Sequence, residues 1–186
     1  MELIQLFDNV HRLTPEAKLA LEPLIMLKSF KKNEIIQQPG STCKTIYIVQ
    51  KGCARIFYIK DGIDITEHFA FDNEIIVRAE SLFTGKPTSK GIQAIDASEI
   101  YAIHAPSLMM LYDKHHDIER LFRLIFEQSY VHTVNRIESL QFHTAKERYI
   151  ALLHSTDYVQ KIPLKYIASY LGITQVSLSR IRAELT

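Results

Sequence analysis

The chain has 186 residues, of which 47% are hydrophobic and 23% are charged, and its formal net charge is +1. These proportions are ordinary for a folded globular protein, and they exclude a disordered or collagen-like chain. The two cysteines, Cys43 and Cys53, lack CxxC spacing, which argues against a disulfide framework and against a cysteine-based zinc or iron–sulfur site.

Such cysteine usage predicts reduced thiols in a cytoplasmic protein. The first ten residues carry Glu2 and Asp8 and no long apolar run, so neither a signal peptide nor a membrane span is expected. Apolar residues at helical spacing predict a helix at the start of the chain. The sequence Thr14-Pro15-Glu16 then supplies a capping hydroxyl, a first-turn proline and an acid, which predicts a second helix whose apolar face extends through Ile25.

The middle of the chain, residues 29–104, has the pattern of short strands separated by turns. The candidate strands are rich in Ile, Val, Tyr, Phe and Thr. They are Glu34–Gln37, Thr45–Gln50, Cys53–Lys60, Asp64–Phe71 and Ser98–His104. Asp61-Gly62 stands between two of them and predicts a hairpin. Many short strands at near-regular spacing are typical of a sandwich, barrel or roll.

A long helix is predicted over Asp117–Gln141, because no glycine or proline interrupts its apolar pattern. At ~1.5 Å of rise per residue it would be roughly 37 Å long. Its apolar residues cover more of the helix than one supporting surface requires. One side is expected to lie on the strands, and the other to contact a second copy across a two-fold axis. A helix buried within a monomer is the alternative.

The C-terminal segment concentrates the basic charge of the chain. Residues 142–186 hold six Lys/Arg against three Asp/Glu, which favours contact with a phosphate backbone. Phe142-His143-Thr144 predicts a hinge between domains. Thr144 and Glu147 have the spacing of a capping box, for a helix that ends near His154.

Two further short helices are predicted near the C-terminus. The first covers Leu164–Leu171, Gly172 can adopt the positive φ of a tight turn, and Thr174 is expected to cap the second. Ile173 is expected to fix the turn to the core. The residues expected to face inward are Ile167, Ala168, Leu171, Leu178, Ile181 and Leu185. This pattern predicts a helix-turn-helix, and an antiparallel helix pair inside a core is the alternative.

The second helix of a helix-turn-helix lies in the major groove, with its N-terminal residues at the base edges. Gln175 and Arg180 suit paired hydrogen bonds to adenine and guanine, and Val176 suits a thymine methyl group. Lys165 and Tyr166 suit phosphate contacts, which position the protein on the duplex. The predicted DNA-binding residues are Thr174, Gln175, Val176, Ser177, Ser179, Arg180, Arg182, Lys165 and Tyr166.

The order of a strand-rich domain, a long helix and a helix-turn-helix resembles the Crp/Fnr family of bacterial regulators across nearly the whole chain. The strongest matches are Lys165–Gly172 and Ser177–Ile181, and the glycine-punctuated strands from Gly40 to Gly52 fit the family's roll. The resemblance implies near-palindromic double-stranded DNA as the ligand and a homodimer formed through residues 117–141. RNA polymerase and a small-molecule effector are further candidate partners, and no membrane is expected.

The resemblance implies an α+β fold in three parts. Residues 1–116 form an N-terminal β-roll, a cyclic-nucleotide-binding-like jelly roll with N-terminal helices. Residues 117–141 form the dimerisation helix, and residues 142–186 form a winged-helix-like helix-turn-helix. Family members commonly have a β-hairpin wing after the recognition helix, and because the sequence ends at Thr186 most of the wing is expected to be missing. A sensor or interaction protein of the same fold, with weak or lost DNA binding, is therefore an alternative.

In nucleotide-binding members of the family, a short helix carries Gly-Glu near its start and Arg-Ser/Thr-Ala just beyond it. Val77-Arg78 and Thr88-Ser89-Lys90 stand at these places here, so both charged anchors for ribose and phosphate are missing. Cyclic AMP bound in the usual way is not expected. The effector stays unknown, and a roll without a ligand is one reading. The other is a pocket for a different anion, formed by Arg78, Ser81, Lys86, Thr88 and Ser89.

A β-roll enzyme of the cupin type is the least favoured alternative. Such a metal site needs an HxH pair with a nearby Glu and a further His. No HxH occurs in the sequence, although His68 and His104 both lie in predicted strands. A nucleophile elbow, a P-loop, an HExxH motif and a Rossmann fingerprint are also missing. The sequence therefore predicts a regulator that is not an enzyme and has no evident metal or iron–sulfur cofactor.

Overall fold

The structure, a computed structural model, describes residues 2–185. Two helices open the chain, as predicted. They are α1 (Glu2–Val10) and α2 (Pro15–Leu21). The Thr14 hydroxyl caps α2 by accepting a hydrogen bond from Ala17 N at 3.2 Å, which confirms the predicted start signal.

The chain leaves α2 differently from the prediction. A 3-10 turn over Glu22–Leu24 ends the helix, and Ile25 begins strand β1 (Ile25–Phe30) instead of extending the helical face. Ile25 pairs with Ile103 in an antiparallel ladder. Pairing with a distant strand outweighs the local periodicity on which the prediction rested.

Within the described residues, eight strands form two four-stranded sheets that face each other as a β-roll. The strands after β1 are β2 (Ile35–Gln37), β3 (Thr45–Lys51), β4 (Ala54–Lys60), β5 (Ile63–Ala70), β6 (Ile75–Ile76), β7 (Gly91–Ala94) and β8 (Ser98–His104). One sheet has the order β1-β8-β3-β6 and the other β2-β7-β4-β5, with antiparallel pairs throughout. The interior is filled by apolar side chains of both sheets, including Val49, Ala54, Ile56, Ile92 and Ile100.

The five predicted strands are present within one residue of their expected bounds, whereas β6 and β7 were not predicted. β6 has only two residues and β7 begins at Gly91, so neither shows the alternation of a strand. A Cβ at Gly91 would lie 2.8 Å from the Phe57 ring, so glycine lets β7 approach β4. The hairpin is confirmed: Asp61 and Gly62 have φ of 52° and 77°, and positive values at both are typical of a two-residue turn.

Three helices follow the roll's strands or lie between them. They are α3 (Ala79–Thr84), α4 (Ala105–Tyr112) and α5 (His116–Phe142). The long helix is confirmed as α5, whereas α4 was not predicted. Pro106 lies in the first turn of α4, where its missing N–H is tolerated. Among residues 2–185, no helix has both the length and the apolar character needed to cross a lipid bilayer.

The C-terminal part begins after His143, at the predicted hinge. It contains α6 (Ala145–Ser155), a 3-10 turn (Asp157–Lys161), α7 (Leu164–Tyr170) and α8 (Gln175–Leu185). Both hydrogen bonds of the predicted capping box are present, since Thr144 N donates to Glu147 Oε2 at 2.7 Å and Glu147 N donates to Thr144 Oγ at 3.3 Å.

The roll and the C-terminal part share one hydrophobic core. Cys53, Phe69 and Ile95 of the roll belong to the same buried cluster as Tyr149 and Leu178 of the C-terminal helices. These five side chains are at most 5% exposed. The helix-turn-helix is therefore packed against the roll as well as connected to it by the hinge.

Candidate nucleic-acid interface

The turn between α7 and α8 is built by local signals. Gly172 has a φ of 70°, a conformation that glycine adopts without steric cost. Ile173 N donates to Ala168 O at 3.0 Å, and the Ile173 side chain packs into the shared core. Thr174 caps α8 by accepting a hydrogen bond from Ser177 N at 3.1 Å. The predicted turn is therefore present.

The outer face of α8 is mostly polar and open to solvent. Gln175, Ser179 and Arg180 are exposed, and Val176 is 62% exposed. The Ser179 hydroxyl donates to Gln175 O at 3.0 Å. Within residues 2–185, the side chains of Gln175 and Arg180 take part in no hydrogen bond or ion pair. Their donors and acceptors are available to a partner.

The remaining predicted positions of α8 differ in exposure. Thr174 and Arg182 are exposed, whereas Ser177 is half-buried and its hydroxyl lies 2.9 Å from Thr174 Oγ. Leu185 was predicted to face inward, but it is 42% exposed. Leu185 is exposed because it lies in the last turn of α8, beyond the fully buried Leu178.

Lys165 and Tyr166 of α7, both predicted to contact phosphate, have different surroundings. Lys165 is exposed, and its Nζ lies 4.8 Å from the centroid of the Tyr166 ring. Tyr166 is only 7% exposed, and the Arg55 guanidinium lies over its ring at 3.6 Å. Tyr166 therefore faces the roll and not the outer surface, which corrects the predicted phosphate contact.

In the roll, Arg78 is enclosed, with 3% of its surface exposed. Its guanidinium donates to Gln37 Oε1 at 3.1 Å, Gln38 O at 3.2 Å, Lys90 O at 2.6 Å and Ser41 Oγ at 3.2 Å. These four acceptors are neutral, and burial lowers the pKa of Arg78. Arg78 therefore ties the end of β2 to the segment before β7, and most of its donors are occupied by the chain itself.

The other four residues predicted for an effector pocket lie in α3 and the loop after it. Ser81 is buried, and its hydroxyl donates to Lys86 O at 2.5 Å. Lys86 and Ser89 are exposed, and Thr88 is half-buried. The hypothesis of an anion pocket loses the donors of Arg78 and Ser81, because these already hold the roll together. It then depends on Lys86 and Ser89.

His68 and His104, the histidines considered for a cupin-type site, lie in different sheets. His104 is exposed, and its Nδ1 lies 2.9 Å from Ser107 Oγ. Burial, together with the charges of Arg136 and His132, lowers the pKa of His68 to about 4. In the described part of the chain, no group of three or more His, Cys, Asp or Glu side chains is placed to hold a metal ion.

Three arginines that hold α7 in place were not predicted from the sequence. They are Arg55 of β4, Arg136 of α5 and Arg148 of α6. In the sequence each is one basic residue among 22, and only the folded arrangement distinguishes them. One local signal does exist, since polar and aromatic residues recur at helical spacing on one face of α7. These residues are Tyr166, Ser169 and Tyr170.

The outer side of α5 carries an exposed apolar stripe, which excludes the alternative of a helix buried within a monomer. Its exposed members are Tyr130, Val131, Ile137 and Leu140, which are 42–71% exposed. At its N-terminal end the stripe adjoins a shallow groove of about 540 Å³, lined by Arg123, Phe126, Glu127, Tyr130 and Val131. The face of α5 that points away from the roll is therefore uncovered.

Known proteins share the fold of this chain. Residues 27–115 match the sequence profile of the cyclic nucleotide-binding domain. The structure is similar to FixK2 from Bradyrhizobium japonicum, with a TM-score of 0.73 and 20% identity over 87% of this chain and 84% of that one. The chain has the Crp/Fnr fold. A Crp/Fnr-family protein from Eubacterium rectale gives a TM-score of 0.71 at 18% identity, over 92% of this chain and 83% of that one.

The Crp/Fnr fold is also found in the c-di-GMP-responsive regulator CLP of Xanthomonas campestris, with a TM-score of 0.69 at 14% identity, over 92% of this chain and 91% of that one. No curated protein sequence is similar enough to the chain to count as a match. The resemblance and the α+β class predicted from the sequence are thus confirmed. At these identities the Crp/Fnr fold itself is what the chain shares with the three proteins.

Proposed function

We propose that the chain is a cytoplasmic, DNA-binding transcription regulator that acts as a homodimer and reads the major groove with α8. The observation that carries the proposal is the solvent-exposed outer face of α8, where the side chains of Gln175 and Arg180 have no partner in the described part of the chain. Base reading requires such free donors and acceptors, because a side chain already bonded to its neighbours has none to offer a base edge.

Each residue of this face has a proposed role. Gln175 reads adenine and Arg180 reads guanine by paired hydrogen bonds, and Val176 contacts a thymine methyl group. Phosphate contacts come from the residues that flank this face, which fix the register on the duplex without specifying sequence. These are Thr174, Ser177, Ser179, Arg182 and Lys165.

Dimerisation through α5 is the second part of the proposal. The exposed apolar stripe on α5 is what a two-fold contact between long helices would cover. A two-fold axis along α5 would present two α8 helices to one face of a duplex, as a near-palindromic site requires. Sedimentation equilibrium tests this part: Ile137→Glu is expected to convert a dimer into a monomer, and an unchanged mass would contradict it.

The roll is proposed to have a regulatory role and no catalytic one, with an effector that is not a cyclic nucleotide bound in the usual way. Support comes from Val77-Arg78 and Thr88–Lys90, where the usual acid and arginine are replaced, and from the self-bonded Arg78. Calorimetric titration with cyclic AMP and cyclic GMP is expected to give no heat of binding. RNA polymerase remains a candidate partner on the family resemblance alone.

Selection of bound sites from a pool of random duplexes tests the central proposal. The full-length chain is expected to enrich a near-palindromic site with half-sites about 10 base pairs apart. Arg180→Ala is the informative variant, and Arg12→Ala, which removes an exposed arginine between α1 and α2, is its control. Failure of the wild-type chain to enrich any site, while it stays folded and dimeric, would favour a sensor or interaction protein of the same fold.

A further inference from the structure

One face of α7 points into the molecule, where the roll and α5 bind it. Tyr166, Ser169 and Tyr170 follow the i, i+3, i+4 spacing of a single helical face. None of the three is exposed. Each of them contacts a different group outside the C-terminal helices.

Tyr166 lies against a buried guanidinium. Arg55 is 1% exposed, and its Nη1 and Nη2 donate to the two carboxylate oxygens of Asp64 at 2.6 and 2.8 Å. The cation lies 3.6 Å from the centroid of the Tyr166 ring and 4.7 Å from that of Phe57. A planar cation fixed by a paired carboxylate accepts an aromatic ring only over its face, so this contact has a defined orientation.

Ser169 bonds to the free edge of the sheet. β5 is the last strand of its sheet, and Thr66 N donates to Ser169 Oγ at 2.9 Å. Ser169 Oγ lies 3.4 Å from Asp64 O, to which it donates. A side chain of α7 thus uses the edge groups that a further strand would otherwise pair with.

Arg136 of α5 completes the arrangement and joins three elements. Its guanidinium lies 3.6 Å from the Tyr170 ring centroid, its Nη2 donates to Tyr170 O at 2.6 Å, and its Nε donates to Glu67 O at 3.2 Å. Tyr170 O is at the carboxyl end of α7, where a cation is favoured by the helix dipole. One side chain of the long helix therefore binds both the edge strand and the helix-turn-helix.

The ring stacks and hydrogen bonds on α7 constrain the angle between the roll and the C-terminal part, which the shared hydrophobic core does not. Apolar burial is non-directional, so the core holds the two parts together without setting the angle between them. The stacked rings and charge-assisted hydrogen bonds are directional. Arg148 of α6 provides the contrast, since it donates to Leu171 O at 3.2 and 2.7 Å and to His143 O at the end of α5, and within the described residues these bonds do not involve the roll.

We propose that Arg55, Ser169 and Arg136 form an orientation clamp, which sets the angle of the helix-turn-helix on the roll and thereby the half-site spacing that the dimer accepts. Arg55 and Arg136 are positioning residues in this scheme and do not touch DNA. The inference rests on the proposed DNA-binding function, and it makes Arg136 the link through which α5 controls where α8 lies.

The test uses the site selected by the full-length wild-type chain, resynthesised with half-sites moved apart or together by one to four base pairs. Wild-type affinity is expected to fall sharply away from the best spacing. Arg136→Ala is expected to lose on the order of tenfold at the best spacing and to show a flattened dependence on spacing, because orientation is no longer preset. An unchanged spacing profile would overturn the inference.

Three further variants separate orientation from charge and from stability. Arg136→Lys keeps the charge but loses the planar stack, so it is expected to flatten the profile as well. Ser169→Ala is the mildest change and keeps the test informative if Arg136→Ala does not fold. Arg148→Ala is expected to weaken binding equally at every spacing, and the same uniform loss in Arg136→Lys would overturn the clamp.

A measurement without DNA distinguishes failure of the clamp from failure of the proposed function. Spin labels at Lys28→Cys on β1 and Ala183→Cys on α8 report the distance between the two parts, in dimers diluted with unlabelled chain. Cys43 and Cys53 are 2% and 1% exposed and so are shielded from the label. A narrow wild-type distribution that broadens in Arg136→Lys supports the clamp even if no DNA site is found, and equal widths would overturn it.

Discussion

The two helices of the helix-turn-helix have opposite surroundings in the fold. α7 carries Tyr166 and Tyr170 against two arginines of the roll and the long helix. On α8, the side chains of Gln175 and Arg180 are exposed to solvent and have no partner among residues 2–185. The polar residues of α7 are therefore used inside the protein, and those on the outer face of α8 stay available for the proposed contact with DNA.

Removing Arg55 tests the α7 side of this comparison and has the largest expected effect. Arg55→Ala is expected to lower the free energy of unfolding by roughly 3 kcal/mol, because it removes a buried side chain, breaks its partly buried ion pair with Asp64 and uncovers the Tyr166 ring. Urea denaturation followed by circular dichroism measures it. Arg12→Ala is the control, and a change as small as the control's would mean that the buried pair does not stabilise the fold.

Removing Arg180 tests the α8 side. Arg180→Ala is expected to lower the affinity for the selected site by ~1–3 kcal/mol and to relax base choice at one position, while the free energy of unfolding stays unchanged. Titration with duplexes carrying each base at that position measures it. An equal loss on every sequence would place Arg180 on phosphate instead.

Lys165 is the exception on α7, because it is exposed while the other residues of the helix are buried or half-buried. Lys165→Ala is expected to weaken binding on all sequences alike and to reduce the slope of log affinity against log salt by about 1. Titrations at several salt concentrations measure the slope. An unchanged slope would show that Lys165 does not contact phosphate.

His68 gives the smallest expected effect at neutral pH. Because its pKa in the folded chain is lowered to about 4, the unfolded chain takes up this proton first as pH falls below about 6.5. The melting temperature is therefore expected to fall between pH 6.5 and 4, and to fall less in His68→Asn. His154→Asn, at an exposed position, is the control, and parallel curves for all three proteins would contradict the shift.

Signals from neighbouring residues predicted a large part of the fold, but of the helix-turn-helix they predicted the surroundings of α8 and not those of α7. The Thr14 cap, the Thr144–Glu147 capping box and the Asp61-Gly62 hairpin each depend on residues a few positions apart, and all are present. The outer face of α8 was predicted in the same way, because exposure on a short terminal helix follows from periodicity.

Long-range contacts account for what was missed. The Arg55–Tyr166 stack joins residues more than a hundred positions apart, and nothing near Tyr166 in the sequence distinguishes a ring that covers a guanidinium from one that meets phosphate. β1 and β6 likewise depend on partners elsewhere in the chain. Arg78 was expected to face a ligand, and the acceptors that occupy it come from two separate segments, residues 37–41 and Lys90.

The common core of roll and helix-turn-helix has a consequence for how the molecule melts. Val159 and Ile162 are each 5% exposed beside Cys53 and Ile95, so cutting the chain at the hinge would strand apolar surface on both fragments. Both parts are therefore expected to unfold in one cooperative step, and the 43 residues after His143 are not expected to fold alone. A signal that reaches α8 is therefore expected to tilt the C-terminal part while it stays packed on the roll, because separating the two parts would expose the shared core.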